Sequence, residues 1–141
     1  MNLPSENTLF KIAAIGFGLI CGVAIIAFME QINVYLHPVS DSAELSAQDV
    51  ESFYTSNRIY LLGSIIAHAT GGFFAGSIPV YFRNDIRPAH TIYIALILMF
   101  LAIFNLYSIN YPAWYMITNI LLYIPCVWAG TRLSKKLKFN S

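Results

Sequence analysis

Four polar side chains stand within stretches of sequence that are otherwise apolar, and they are the best candidates for chemistry. They are Glu30, His68, Asn105 and Asn119. An ionisable group inside a membrane is costly and is a functional candidate for that reason, and polar groups in lipid hydrogen-bond to one another. The sharpest hypothesis is a polar cluster near the axis of a helix bundle, open to the outer face, in which Glu30 shares a proton or a hydrogen bond with His68.

A simpler interpretation of the same residues stays open. Glu30 would then reach water from the end of its helix, because a carboxylate at that depth needs only a short reach. A neutral His68 would hydrogen-bond to a neighbouring helix, and Asn105 and Asn119 would join helices separately. Residue types and spacing alone do not decide between a functional cluster and this structural role.

Other chemistries have little support in the sequence. His37, His68 and His90 fall at the outer end, the middle and the inner end of the apolar stretches, so they cannot meet around a metal ion. We therefore expect no metal and no cofactor. Cys21 and Cys126 lie in apolar stretches, where cysteine acts as a small hydrophobe, and we expect no disulfide between them.

The elements that must position these residues are membrane helices. Hydrophobic residues make up 57% of the 141 residues and charged residues only 11%, whereas a soluble domain has about 25% charged residues. The expected surroundings are therefore a lipid bilayer. The formal net charge of +1 argues against a nucleic-acid partner, which would need a concentrated basic face.

Four apolar stretches are each long enough to cross about 30 Å of hydrocarbon. A backbone in lipid must satisfy its own hydrogen bonds, so the stretches are predicted to be helices. The predicted fold is an all-α, up-down antiparallel four-helix transmembrane bundle forming one domain over residues 1–141, with an uncleaved first helix. The spans are predicted at about 9–29, 59–82, 91–109 and 112–133.

Basic residues predict the orientation of these spans. Arg58 lies on one side of the predicted bundle, and the other seven basic residues lie on the opposite side with both termini, which the positive-inside rule places in the cytoplasm. The seven are Lys11, Arg83, Arg87, Arg132, Lys135, Lys136 and Lys138. An aromatic belt is predicted at the outer end of the last two spans. It consists of Tyr107, Tyr111, Trp114 and Tyr115.

The outer loop, residues 31–57, contains a short amphipathic pattern. Ser46 followed by Asp49 resembles a capping box, which predicts the start of a helix. One face of that helix would carry apolar side chains and lie on the outer membrane surface. The alternative is an ordered loop without lipid contact. The apolar residues are Leu45, Val50, Phe53 and Tyr54.

Small residues four apart predict close helix packing. Gly18 and Gly22 lie in the first span and Gly72 and Gly76 in the second, with Ser64 and His68 continuing the second row backwards. Such rows let helix backbones approach closely, so the first two spans are expected to be neighbours. A gap left for a ligand or a pore is the alternative.

Several short segments carry a resemblance to known proteins. They are AFMEQINVYLHP at the end of the first span, AHATGGFFAGS in the second, NLYSINYPAWY between the last two, and PCVWAGTRL near the end. In these segments the chain resembles a family of small bacterial four-helix integral membrane proteins of uncharacterised function. The resemblance implies the same topology and a bacterial inner membrane, and it implies no activity.

Three functions are compatible with this sequence. The leading hypothesis is a non-enzymatic membrane protein that acts through helix packing, either as a homo-oligomer or as an accessory to a membrane protein partner. The second is a small proton- or cation-coupled transporter that uses Glu30 and His68. The third is a membrane enzyme acting on a lipid or quinone with His68 as the base.

Overall fold

The computed structural model describes residues 6–38, 46–107 and 109–139, and these residues form five helices without a strand. The helices are α1 (Glu6–Leu36), α2 (Ala47–Ser56), α3 (Arg58–Phe82), α4 (Pro88–Tyr107) and α5 (Ala113–Phe139). Four of them, α1, α3, α4 and α5, are long and apolar enough to span a membrane. The predicted all-helical fold with four such helices is confirmed. The up-down course of the chain across a bilayer stays a prediction.

The first helix is longer than predicted. Residues 31–36 were expected in the outer loop, but α1 continues through them to Leu36. This segment contains no helix-breaking residue before Pro38. A proline disfavours helical backbone at the residue before it, so α1 ends before His37. The extra turns hold Asn33, which is buried and donates a hydrogen bond from Nδ2 to the Tyr60 carbonyl oxygen at 2.9 Å. Glu30 therefore lies six residues inside the helix and not at its end.

The capping box predicted before α2 is confirmed. The Asp49 amide donates to Ser46 Oγ at 3.3 Å, and the Ser46 amide donates to Asp49 Oδ2 at 3.0 Å. Of the predicted apolar face, Leu45 and the side chain of Val50 lie outside the described residues. The ring of Tyr54 packs against Tyr60 of α3 with centroids 4.5 Å apart. The position of α2 on a membrane surface stays a prediction.

Glycines bring α1 against α3, as expected for neighbouring spans. A Cβ added at Gly18 would lie 2.5 Å from Pro79 Cγ, and one added at Gly22 would lie 2.5 Å from the Ala75 Cβ and 2.9 Å from the Gly71 carbonyl oxygen. Any side chain at these two positions would force the helices apart. The backbones therefore touch along this line, which fixes how α1 faces α3.

The second pair of glycines packs against a different helix. Gly72 and Gly76 face α5: a Cβ at Gly72 would lie 3.4 Å from Tyr123 Cδ1, and one at Gly76 would overlap the Val127 carbonyl oxygen. Successive positions four apart share one side of a helix. The row of Ser64, His68, Gly72 and Gly76 therefore runs along α5, and its first two members also contact α1. The closest approach of the α1 and α3 backbones lies on the neighbouring side of α3.

The ends of the bundle are fixed by polar contacts. We call the end that holds Tyr60 and α2 the α2 end, and the opposite one the tail end. At the tail end Asp85 contacts Lys11 Nζ and Arg83 Nε, each at 2.9 Å. These contacts join the start of α1 to the connection between α3 and α4. Hydrogen bonds from Arg83 and Lys11 hold the pKa of the Asp85 carboxyl well below its ordinary value.

Candidate functional site

A cavity of about 370 Å³ opens at the α2 end of the bundle. All four polar residues singled out from the sequence line it, so the structure brings Glu30, His68, Asn105 and Asn119 to one place. Each of the four long helices contributes to its wall. The remaining lining residues are Val23, Ile26, Ala27, Tyr60, Ser64, Ala102, Leu106, Tyr111 and Tyr115.

Among the described residues, Glu30 is the only carboxylate of the cavity wall, and α3 supplies two partners for it. Ser64 donates a hydrogen bond to Glu30 Oε1, and His68 Nε2 lies 3.4 Å from the same oxygen. The two side chains of this pair are mostly buried, with 22% of Glu30 and 12% of His68 exposed. Glu30 therefore faces α3, which differs from the interpretation in which it simply reaches water beyond a helix end.

A chain of hydrogen bonds leads from Glu30 to α5, and its direction is fixed by the number of protons available. Ser64 has a single hydroxyl proton, which it gives to Glu30. Tyr115 must therefore donate to Ser64 Oγ, at 2.8 Å, and the Asn119 amide Nδ2 in turn donates to the Tyr115 hydroxyl at 3.0 Å. Every donor in the chain is oriented towards the carboxylate.

His68 links Glu30 to a second hydroxyl of α5. Its Nδ1 is hydrogen-bonded to the Tyr123 hydroxyl. While Glu30 is ionised, the imidazole stabilises it best with a proton on Nε2, so that Nδ1 accepts from Tyr123. A proton on Glu30 reverses that requirement. The two arrangements differ by one added proton on Glu30, which is exchanged with the cavity, and the contact supports the Glu30–His68 hydrogen bond hypothesised from the sequence.

Asn105 differs from the other three residues. It is exposed and stands at the edge of the cavity, on α4. Within the described part of the chain, no hydrogen bond joins Asn105 to Glu30, His68 or Asn119. Its side chain contributes to the wall of the cavity and not to the hydrogen-bonded network.

Three members of this network were not assigned to the site from the sequence. Ser64 was read only as a small packing residue, Tyr123 was not singled out, and the aromatic-belt position predicted for Tyr115 is wrong, because that side chain is only 3% exposed. A signal was present in the spacing. Tyr115, Asn119 and Tyr123 are four residues apart on α5, which matches the spacing of Ser64 and His68 on α3.

The charge of the cavity is negative. In the part of the chain that the structure describes, no lysine or arginine lines the cavity, so a neutral His68 leaves the Glu30 carboxylate without a neutralising cation. The tyrosines of the wall do not add charge at neutral pH. Burial, with Tyr115 and Glu30 nearby, raises the pKa of Tyr111, in the connection before α5, to about 12.

The cavity does not have the composition of a metal centre. No group of three or more histidine, cysteine or acidic side chains comes together among the described residues. His68 lies in the cavity wall, whereas His37 contacts the Asn33 carbonyl oxygen within α1 and His90 caps the Arg87 amide at the start of α4. The three histidines therefore lie in three separate parts of the structure.

Comparisons with known proteins give this chain no relative. No family model, no curated protein and no solved structure matches it. The residues of the cavity therefore carry the functional inference.

Proposed function

We propose that this chain is a small multi-pass membrane protein that couples the movement of a cation to that of a proton, with Glu30 as the group that binds both. One observation carries the proposal. The Glu30 carboxylate lies within a candidate membrane span, lines a cavity, and approaches His68 Nε2 at 3.4 Å. Ionisable groups at such depth are retained mainly where they serve a pathway for ions or protons.

Coupling follows from competition for one carboxylate. A cation in the cavity stabilises the ionised form of Glu30, whereas a proton neutralises it and removes the attraction for the cation. The proton and the cation therefore exclude each other because both need the same carboxylate. His68 Nε2 and the Ser64–Tyr115–Asn119 chain stabilise the ionised carboxylate while the cation is bound, and the released proton leaves through the cavity.

The helix-packing hypothesis was motivated by the two rows of glycines, and these glycines pack within the chain itself. Gly18, Gly22, Gly72 and Gly76 all lie against helices of the same chain, so they provide no surface for a second copy or for another membrane protein. A homo-oligomer or an accessory role remains a hypothesis without assigned residues. The polar cavity, by contrast, gives the transport hypothesis a defined set of side chains.

The setting proposed for this activity is the inner membrane of a bacterium, with both termini in the cytoplasm. The basic side chains support it. Arg58 is the only lysine or arginine of α2 or of the first turn of α3. Lys11, Arg83 and the basic residues in the last part of α5 lie at the opposite end of the bundle. The resemblance to small bacterial four-helix membrane proteins agrees with this placement. The cavity would then face the outer half of the bilayer.

Purified protein in proteoliposomes tests the proposal. A pH-sensitive dye trapped in the lumen reports proton movement when Na⁺, K⁺, Li⁺, tetramethylammonium or guanidinium, an N–H-bearing cation whose charge is permanent, is applied across the membrane. We expect at least one of these cations to drive a pH change in the wild type, and Glu30→Gln to abolish it. Glu51→Gln is the matched control, because Glu51 bonds to Asn110 outside the cavity and its substitution should leave the signal intact.

Two results would contradict this function. One is the absence of proton movement with every cation of the panel. The other is a signal of equal size in the wild type and in Glu30→Gln, since a pathway that does not use the carboxylate would be a different one.

A further inference from the structure

We infer that the ligand of the Glu30 cavity is a small alkylammonium ion, whose N–H groups point at Glu30 and Asn119 and whose hydrocarbon part lies on the apolar wall. The inference rests on the proposed function, because it names the class of cation that competes with the proton. Four properties of the cavity carry it: its charge, an unpartnered acceptor, its apolar side, and its volume.

The charge selects a cation. Of the wall residues that the structure describes, Glu30 is the only acidic one, and none is a lysine or an arginine. The titratable groups that face Glu30 are His68 and Tyr60 on α3, with Tyr111 and Tyr115 from the start of α5 and its preceding connection. None of them is a permanent cation. A positively charged ligand would therefore supply the only full counter-charge in the cavity.

The unpartnered acceptor selects a cation that carries N–H groups. Asn119 is 1% exposed, and its Oδ1 has no hydrogen-bond partner among the described residues. The amide cannot simply be turned around, because the Tyr115 proton is already given to Ser64 and Nδ2 must donate to Tyr115. A buried acceptor without a donor is costly. Asn119 belongs to the cavity wall, and an ammonium N–H seated there supplies that donor once the amide oxygen turns towards it.

The apolar side selects an organic ligand. Val23, Ile26 and Ala27 of α1 face the cavity together with Ala102 and Leu106 of α4. A bare metal ion would gain nothing from this wall and would need several more oxygen ligands than one carboxylate and one amide. An alkyl chain, by contrast, is stabilised by the wall in proportion to the apolar area that it buries.

The volume limits the size of the ligand. About 370 Å³ lies at the lower end of the range for small-molecule sites, about 300–1,000 Å³. Tyrosine rings in the wall, those of Tyr60, Tyr111 and Tyr115, add a surface that attracts cations. A primary amine with a short chain, protonated at neutral pH, meets all four conditions.

Calorimetric titration of the protein in zwitterionic nanodiscs tests this class at equilibrium, with empty nanodiscs subtracted. Binding is measured instead of flux because neutral amines cross bilayers unaided. The probes are butylammonium, butan-1-ol and butyltrimethylammonium, which share one chain and differ in charge and in N–H groups. We expect butylammonium to bind about tenfold or more tightly than either of the others, since each lacks a charge-assisted hydrogen bond.

Two variants test whether butylammonium binding depends on Glu30. Glu30→Gln should weaken butylammonium binding by about tenfold or more, and Glu51→Gln should leave it unchanged. Equal affinity for butylammonium and butan-1-ol, no binding of butylammonium at all, or equal binding by the wild type and Glu30→Gln would each overturn the inference. If inorganic cations still drive Glu30-dependent proton movement, only the ligand class fails. If butylammonium binds but no cation drives protons, the transport proposal fails instead.

Discussion

Among single residues, the way in which Glu30 is held matters most. Ser64 is 3% exposed and gives its only proton to the carboxylate. We expect Ser64→Ala to lower the free energy of unfolding by about 1 to 2 kcal/mol, because it removes the hydroxyl that donates to the carboxylate and accepts the Tyr115 proton. The measurement is reversible unfolding in mixed micelles by a denaturing detergent.

Thr70→Ala is the control for that substitution. Thr70 lies on the same helix, and its hydroxyl donates only to the Ile66 carbonyl oxygen, which already belongs to the helix. Its loss should change the unfolding free energy by less than about 0.5 kcal/mol. Equal effects of the two substitutions would mean that the hydroxyl of Ser64 does not support Glu30.

The sequence identifies the polar residues of the site more readily than the hydroxyls that organise them. Glu30 and His68 stand out because an ionisable group in an apolar stretch is rare. Tyr115 and Tyr123 do not, since tyrosine is common at membrane interfaces and its ring is mostly apolar. Whether a tyrosine turns to lipid or to the bundle depends on which face its helix presents, and that is decided by packing between helices.

At the scale of the element, the position of the site is set by how closely α1 approaches α3. We expect Gly22→Ala to destabilise the protein by about 1 to 3 kcal/mol through overpacking, because the new methyl group would meet Ala75 Cβ at 2.5 Å and a backbone oxygen of α3 that cannot retreat. Unfolding in mixed micelles gives the free energy.

Gly16 offers a matched control on the same helix. A Cβ added there meets nothing within 4 Å, so Gly16→Ala should be neutral or should stabilise the helix by up to about 1 kcal/mol. If Gly16→Ala is as damaging as Gly22→Ala, close packing of α1 on α3 is not what makes Gly22 necessary.

Apolar length predicts the helices well and their partners less well. Four spans of about 20 residues follow directly from the need to bury the backbone in lipid, and α1, α3, α4 and α5 agree with them. The end of α1 was misplaced because polar residues after Glu30 suggest a loop, although Gln31 and Asn33 do not break a helix. The partner of Gly72 could not be read from spacing, since a row of small residues does not say which helix it faces.

At the scale of the whole molecule, the charges at the tail end make stability depend on pH. The pKa of Asp85 is lowered from its ordinary value of 3.8 by hydrogen bonds from Arg83 and Lys11. A lowered pKa in the folded state means that the carboxylate stabilises the protein above about pH 4, and that this contribution is lost as the pH falls further. We expect Asp85→Asn to lower Tm at pH 6, and the difference from the wild type to shrink towards pH 3.

A difference in Tm that stays constant from pH 6 to pH 3 would show that Asp85 acts through something other than its charge. Added salt should also reduce the difference at pH 6, because the pairs are exposed and therefore screened. Asn84→Ala, one residue earlier in the same connection, should give no such dependence on pH.

The proposed function depends on Glu30 exchanging a proton inside the bundle. Infrared difference spectroscopy on protein reconstituted in lipid measures this directly, by following the carboxyl band as the pH is lowered from about 7 to about 3, through and below the ordinary range of a glutamate carboxyl. We expect a band of the protonated Glu30 carboxyl that grows as the pH falls, is missing in Glu30→Gln and persists in Glu51→Gln. Identical spectra for the wild type and Glu30→Gln across that range would contradict the proposed function.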